Sequence, residues 1–386
     1  MRELHRRTTA VVALGLLPSI WAAWLLWLAP VEGLGADRTA LAARDFTALW
    51  AAGQAAAQHS LAILASPVAF TDFLRAQFGP GIPAQIWPYP PPILLLAQPL
   101  AKLPLYSSFA VYSAAGLAVL WLATRLAELS TLARAAILVS PAVMSNALCG
   151  QNGTLIAALL CGGLLAIDRR PILAGALLGA VVIKPQFAFL LPFCLLAAPR
   201  RAALLSTGIS SLSLSLLSVI VFGYQPWVEF FSKNRGAVSA YIGAPWQSDP
   251  AQAIFSSVFM AVRSLGGGTT AAAVVQAAAS CCCAYFVWRL WRNPQWDARQ
   301  RAAATIPLIL LASPWVHMYD MPALAVSLAL LLPGCTVPGR ILIAIAWLWP
   351  GLSPVLTVPP LCAVLSIASV ARFAQRGFGT LQSASA

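Results

Sequence analysis

The sequence predicts an all-α polytopic membrane protein, and three observations carry that prediction. Of its 386 residues, 60% are hydrophobic and only 9% are charged, with a mean hydropathy of +0.80. Soluble domains carry roughly 25% charged residues, so these charges cannot coat a particle of this size. Lipid must solvate much of its surface. Apolar runs also follow one another along the chain, near 9–29, 106–127, 131–147, 153–167, 171–183, 186–198, 202–222, 268–291, 302–316, 320–333, 340–350 and 354–371. Finally, abundant Trp and Phe suit spans that cross membrane interfaces repeatedly.

Several runs are shorter than the ~20 residues a full span needs, which predicts broken or re-entrant helices within a set of about 10–13 spans. The run 9–29 follows a basic stretch (Arg2, His5, Arg6, Arg7). It is long enough to cross, and no small-x-small cleavage site follows, so it reads as a retained signal anchor. Residues 30–105 then form a first long outer segment. There Phe46, Leu49, Trp50 and Gly53 have helical spacing, predicting a short helix with one apolar face. Ser66-Pro67 supplies an N-cap and first-turn proline, and Gly79 a stop, for a second helix with Phe70, Phe73, Leu74 and Phe78 on one face. The stiff aromatic stretch Trp87-Pro88-Tyr89-Pro90-Pro91-Pro92 precedes an apolar run at 93–97 that is too short to span and is expected to dip and return.

A second outer segment covers 223–267. Pro226 is expected to open a turn of helix carrying Trp227, Phe230 and Phe231, with Gly236 closing it. Both outer segments are read as carrying interfacial helices. Residues 1–376 form one integral membrane domain, and 377–386, small and polar, read as a disordered cytoplasmic tail. No internal repeat occurs, which counts against a transporter built from two related halves.

The formal net charge of +13 arises from cations in short loops between apolar runs, where the positive-inside bias puts them. With the N-terminus in the cytoplasm, the Arg residues at 2–7, 125, 134, 169–170, 200–201, 289–301, 340 and 372–376 fall inside. Arg38, Arg44, Arg75, Lys102, Lys233, Arg235 and Arg263 fall outside, spread over the two long loops. This requires 171–198 to be two passes broken at Lys184-Pro185. As one span it would send the clusters at 200–201 and 289–301 outside. Both termini are then cytoplasmic, in a plasma (inner) membrane. No basic stripe with interleaved aromatics occurs, which excludes nucleic acid as a partner. The eight cysteines contain no CxxC pair and lie mostly in apolar runs. They read as small buried side chains, with neither a zinc site nor a disulfide framework implied.

A site in such a protein should consist of polar groups that a bilayer penalises. Four places qualify, and all fall at the outer ends of spans. Asp45, in Arg44-Asp45-Phe46, is either a helix N-cap or a general base: a carboxylate partly desolvated at the bilayer edge is a better proton acceptor. Gly150-Gln151-Asn152-Gly153 is either a helix start capped by Asn152 or a place where backbone and amides approach a ligand. Lys184, beside the helix-disturbing Pro185, is either a seat for a phosphate or a lysine snorkelling to the headgroups. Ser313-Pro314-Trp315-Val316-His317-Met318-Tyr319-Asp320 is either an interfacial belt or a site in which His317 contacts a phosphate or orients an acceptor. His317 and Asp320 share a face if the helix continues. Trp87, Tyr89 and Trp315 are candidate sugar platforms, with an aromatic belt as the alternative. No run has metal-ligand spacing, and Gly266-Gly267-Gly268 lacks the lysine of a phosphate-binding loop.

Taken in order, the aspartate after the first span, Tyr89-Pro90-Pro91, Gly-Gln-Asn, an Arg-Arg loop, Gly175-x-x-x-Gly179, Lys184-Pro185 and Ser-Pro-Trp-x-His resemble glycosyltransferase family 87, a branch of the GT-C superfamily. That branch includes polyprenol-phosphate-mannose-dependent mannosyltransferases. The resemblance covers about 44–320. It implies a GT-C-like helical bundle with its active site on the outer (periplasmic) face. It also implies a polyprenyl-phosphate sugar donor, a lipid or glycan acceptor, inversion at the anomeric carbon, and no cofactor or obligatory metal. Asp45 is then the catalytic base, Lys184, His317 and Arg44 bind the donor phosphate, and Gln151, Asn152, Tyr89, Trp87, Trp315 and Asp320 contact substrate. This chain continues its last motif with Met-Tyr-Asp, leaving open whether His317 or Asp320 acts. The alternative class is a transporter or flippase, which would place its ionisable groups near the midplane.

Overall fold

In a computed structural model, the described residues are 44–82, 84–197, 200–246, 252, 254–353 and 359–383. The predicted signal anchor at 9–29, Arg38 and the side chain of Arg44 lie outside them. The described residues contain no named strand. One isolated β-bridge pairs Phe255 with His317.

Both helices predicted within the first outer segment are present. Helix α1 (Arg44–Ala57) buries Phe46, Leu49 and Trp50, and the Trp50 indole donates to the Leu103 carbonyl at 2.9 Å. Helix α2 (Pro67–Phe78) starts where the Ser66 hydroxyl accepts from Ala69 N and stops at Gly79, φ +95, a backbone state that glycine adopts without strain. A short turn at Pro91–Ile93 leads into α3 (Leu94–Leu100). This helix packs directly on α1, where a Cβ on Gly53 would collide with the Ala97 backbone. The apolar run at 93–97 is thus held in a buried helix.

Next come α4 (Leu105–Ala123), α5 (Thr131–Leu138), α6 (Pro141–Cys149), α7 (Gly153–Ala166) and α8 (Pro171–Gly179). They are followed by α9 (Leu191–Leu196) and α10 (Arg201–Phe222). Helices α8 and α10 run parallel: Ser206, Ser210 and Ser211 hydroxyls donate in register to the carbonyls of Ile172, Ala176 and Gly179 at 2.7–2.9 Å. Gly175 and Gly179 make this approach possible, because a Cβ on either would meet the α10 backbone. Small residues at this spacing are how membrane helices reach close contact. Two parallel neighbours need a return pass between them, so the chain reverses at Lys184-Pro185. Residues 171–197 thus form a hairpin broken at Lys184-Pro185.

The second outer segment departs from expectation. Helix α11 (Gln225–Glu229) continues through a π-helical turn at Phe230–Asn234 into α12 (Arg235–Gly243). Gly236 therefore lies inside a helix instead of closing one. Glycine costs a helix only about 1 kcal/mol relative to alanine, and continuation outweighs that. The remaining helices are α13 (Val258–Ser264), α14 (Thr269–Arg292), α15 (Ala298–Ala312), α16 (Pro322–Leu331), α17 (Val337–Leu352) and α18 (Pro359–Ser383). Helix α18 runs through 377–383, where small polar composition suggested a disordered tail. No proline interrupts its backbone after Pro360.

Among the described residues three helices are long and apolar enough to cross a membrane alone: 105–127, α10 and α14. The pair α5 and α6, bent by 43°, passes the same test together. The other apolar helices span 10–17 residues. Several contain or begin at prolines, which cannot donate to the preceding turn. Helices α7 and α15 are almost wholly buried, while α10 exposes Leu205, Ile209, Leu212, Leu216 and Ile220. That face belongs in lipid.

The two ends of the bundle differ in charge. At one end Glu128 bridges Arg169 and Arg299, both at 2.6 Å. Asp168 there contacts Arg301 at 3.1 Å and Arg200 at 3.4 Å. Both guanidinium groups of the latter pair lie over the Trp291 ring, at 5.6 and 5.0 Å. Loops predicted to share the cytoplasm thus meet in one arginine-rich cluster. The candidate site lies at the other end.

Candidate active site

Helix α6 ends at Gly150, whose left-handed φ of +69 and missing side chain let the following turn press against α1. A Cβ there would collide with Phe46. That contact sets Gln151 beside Asp45, in the first turn of α1. The Gln151 amide donates from Nε2 to Asp45 Oδ2 at 2.9 Å, and its Oε1 accepts from the Tyr89 hydroxyl at 2.7 Å.

Asn152 occupies the N-cap position of α7 but makes no side-chain cap bond. Its Oδ1 instead accepts from Lys184 Nζ at 2.9 Å. Lys184 sits at the hairpin apex between two 3-10 turns. It does not snorkel: only 4% of its side chain is exposed, and Nζ lies 2.5 Å from Asp320 Oδ1. An ammonium has three donors; these two contacts use two of them.

Asp320 reaches this point because α15 stops at Ala312 and the chain turns before α16. His317 and Asp320 do not share an α-helical face as the sequence suggested. A 3-10 turn over Met318–Asp320 brings them together: Asp320 Oδ2 accepts from the His317 backbone N–H at 3.0 Å, with imidazole Nδ1 at 3.7 Å. The imidazole stacks on Tyr319, with ring centroids 4.7 Å apart, and meets Phe255 at 3.9 Å. The turn is pinned from below by Asn146, whose amide donates to the Tyr319 carbonyl at 3.0 Å and accepts from Thr154 N at 3.2 Å.

Burial pushes the His317 imidazole below its ordinary value, against the pull of Asp320, so the ring is neutral near pH 7. Burial alone would raise the Asp320 carboxyl, but the Lys184 ammonium and His317 outweigh it and hold it below the usual carboxylate range. Burial also raises the Tyr89 phenol well above its ordinary value, keeping it a donor.

Asp45, Gln151 and Tyr89 thus form one connected group, and Asn152, Lys184, Asp320 and His317 a second. Peptide neighbours Gln151 and Asn152 join the two, and Lys184 Nζ lies 6.0 Å from the Tyr89 ring. Trp87 packs on Tyr89 with centroids 5.1 Å apart. Trp315 stands further out, edge-on to Phe255 and 5.4 Å from the His317 ring. Among the described residues no three His, Cys, Asp or Glu side chains gather as a metal site would require.

Residues 87–314, more than half of the chain, match the model of glycosyltransferase family 87. The chain belongs to that family. No curated protein and no solved structure matches it. Membership decides between the two classes left open by the sequence: this is a membrane glycosyltransferase and not a transporter. The helical bundle is consistent with a GT-C-like architecture. The matched region includes Tyr89, Gln151, Asn152 and Lys184 of this family 87 transferase, while Asp45, His317 and Asp320 lie beyond its limits. Sequence reasoning passed over Asn146. Its signal was available, since an asparagine inside the apolar run 131–147 needs a buried partner.

Proposed function

We propose that this family 87 transferase moves one hexose, with mannose the first candidate, from a polyprenyl-phosphate sugar to a lipid or glycan acceptor, with inversion. The observation that carries the reading is the meeting of the Asp45 carboxylate and the Lys184 ammonium at one end of the bundle, linked through Gln151, Asn152 and Tyr89. In this reaction the bond from the anomeric carbon to the donor phosphate breaks, and its electron pair leaves on a phosphate oxygen. The acceptor oxygen bonds to the opposite face of that carbon, and Asp45 takes the acceptor proton. A phosphate is already a competent leaving group, so no general acid is required. The remaining N–H of Lys184 suits the charge that grows on the departing phosphate, and neutral His317 beside it can donate a further hydrogen bond. Asp320 holds the lysine head in place.

The site end faces outward in this reading, because the arginine-rich cluster around Glu128 and Asp168 occupies the opposite end, where the positive-inside rule puts cytoplasm. The prenyl tail remains in the bilayer of the plasma (inner) membrane, and the lipid-phosphate donor needs no separate cofactor. The test is incubation of the purified protein in lipid nanodiscs with polyprenyl-phosphate hexoses and a panel of glycolipid acceptors. Transfer with inverted anomeric configuration supports the reading. Transfer only from a nucleotide sugar, or with retained configuration, overturns it.

A further inference from the structure

A cleft beside the candidate site carries chemistry the proposed reaction has not yet used. The enclosed part is small, about 10 Å³, room for about one hydroxyl group or water, and opens to a wider mouth; its walls include Trp87, Tyr89, Leu94, Glu229 and Asn234. The π-helical turn at Phe230–Asn234 swings Asn234 inward, and such turns recur at functional sites. Asn234 is 6% exposed. Its amide nitrogen donates to the Trp87 carbonyl at 3.0 Å, which fixes the orientation of the group and leaves Oδ1 buried with no hydrogen-bond partner. A buried acceptor without a partner is destabilising and calls for an occupant. Glu229 has 8% of its side chain exposed, and its contacts with Lys233 at 3.9 Å and Gln225 at 3.5 Å both fall on Oε1.

The unused hydrogen-bonding capacity of this cleft is therefore acceptor capacity: Asn234 Oδ1 and the second Glu229 oxygen. Acceptors flanked by a Trp and a Tyr ring select a ligand that offers O–H donors and an apolar ring face. That is the chemistry of a saccharide, and it disfavours a phosphate, whose oxygens would face oxygens. Lys184 offers the opposite polarity. Tyr89 belongs to both places, its ring lining the cleft and its hydroxyl held by the Gln151 that also binds Asp45.

We infer that Glu229 and Asn234, with Trp87 and Tyr89, form the subsite that binds the hydroxylated ring of the acceptor and delivers one of its hydroxyl groups toward Asp45. This rests on the transfer reaction proposed above and assigns its acceptor side. Two measurements test it on the full chain in nanodiscs. The first is saturation-transfer NMR with a methyl hexoside as probe. Ring protons of the probe should receive saturation from the wild-type protein. The signal should fall at least severalfold in Asn234→Leu and in the near-isosteric Glu229→Gln, and inorganic phosphate should not compete. Absence of saturation in the wild type, an unchanged signal in Glu229→Gln, or competition by phosphate would overturn the assignment. The second is steady-state transfer, in which Glu229→Gln should raise the acceptor KM about tenfold and leave the donor KM unchanged; a rise in donor KM alone would contradict it. Probe binding without any transfer from polyprenyl-phosphate hexoses would retire the proposed reaction and leave the saccharide subsite standing.

Discussion

Lys184 Nζ lies 2.5 Å from Asp320 Oδ1, with 4% and 0% of the two side chains exposed, although the residues are 136 positions apart. A buried ion pair stabilises little relative to apolar residues, but removing one partner leaves a charge uncompensated and costs about 3–5 kcal/mol. Lys184→Met should destabilise the protein by roughly that amount, read as a fall in the thermal midpoint in detergent. Lys184→Met combined with Asp320→Leu should recover most of the stability and none of the transfer activity. Recovery of both would reduce the pair to architecture.

His317 gives the protein a pH dependence of defined sign. The imidazole is held below its ordinary value of 6.5 in the fold and takes a proton near 6.5 when unfolded. Between those two values the unfolded chain binds more protons, so stability is complete above about 6.5 and falls as pH drops below it. Asp320, depressed from 3.8, adds a loss of the same sign only below that value. The thermal midpoint should therefore decline from pH 7 to pH 5 in the wild type. In His317→Gln that window should be flatter, and an equal slope in both proteins would assign the effect elsewhere.

Gln151 is hydrogen-bonded to both Asp45 and Tyr89. Gln151→Leu removes a donor from the carboxylate and an acceptor from the phenol together, and leaving such groups unsatisfied costs about 1–3 kcal/mol. The predicted result is a modest fall in stability with a drop in kcat larger than tenfold, because Asp45 loses its fixed orientation. A change confined to KM would argue that Gln151 only contacts substrate.

Much of this was legible locally. Ser66-Pro67 and Gly79 bounded a helix because cap chemistry is encoded within a few residues. Lys184-Pro185 marked a reversal because the basic clusters on either side called for two passes and proline disturbs a helix. The partners of Lys184 were not legible as partners: Asn152 and Asp320 each appeared as separate polar spots, and only packing of α7, the hairpin and the 3-10 turn at Met318–Asp320 unites them. Glu229 and Asn234 were invisible for a different reason. They lie five residues apart and are both buried across a π-helical turn, a spacing that α-helical periodicity does not read. Asn152 shows the reverse case, a residue at a cap position whose side chain is engaged elsewhere.

The charge asymmetry of the bundle predicts sidedness. With native cysteines replaced, a cysteine at exposed Lys102 should react with an impermeant maleimide on intact cells. One at Arg299, in the Glu128 cluster, should react only after permeabilisation. Labelling of both from one side would overturn the orientation.

The proposed transfer depends most on Asp45 acting as the base. The direct measurement is kcat of Asp45→Asn in nanodiscs under saturating donor and acceptor, with substrate binding followed separately. Loss of a general base should lower kcat by about 10²–10⁴ with donor and acceptor still bound. Turnover within a few-fold of wild type would contradict the account and leave Asp45 as the residue that anchors Gln151 to α1.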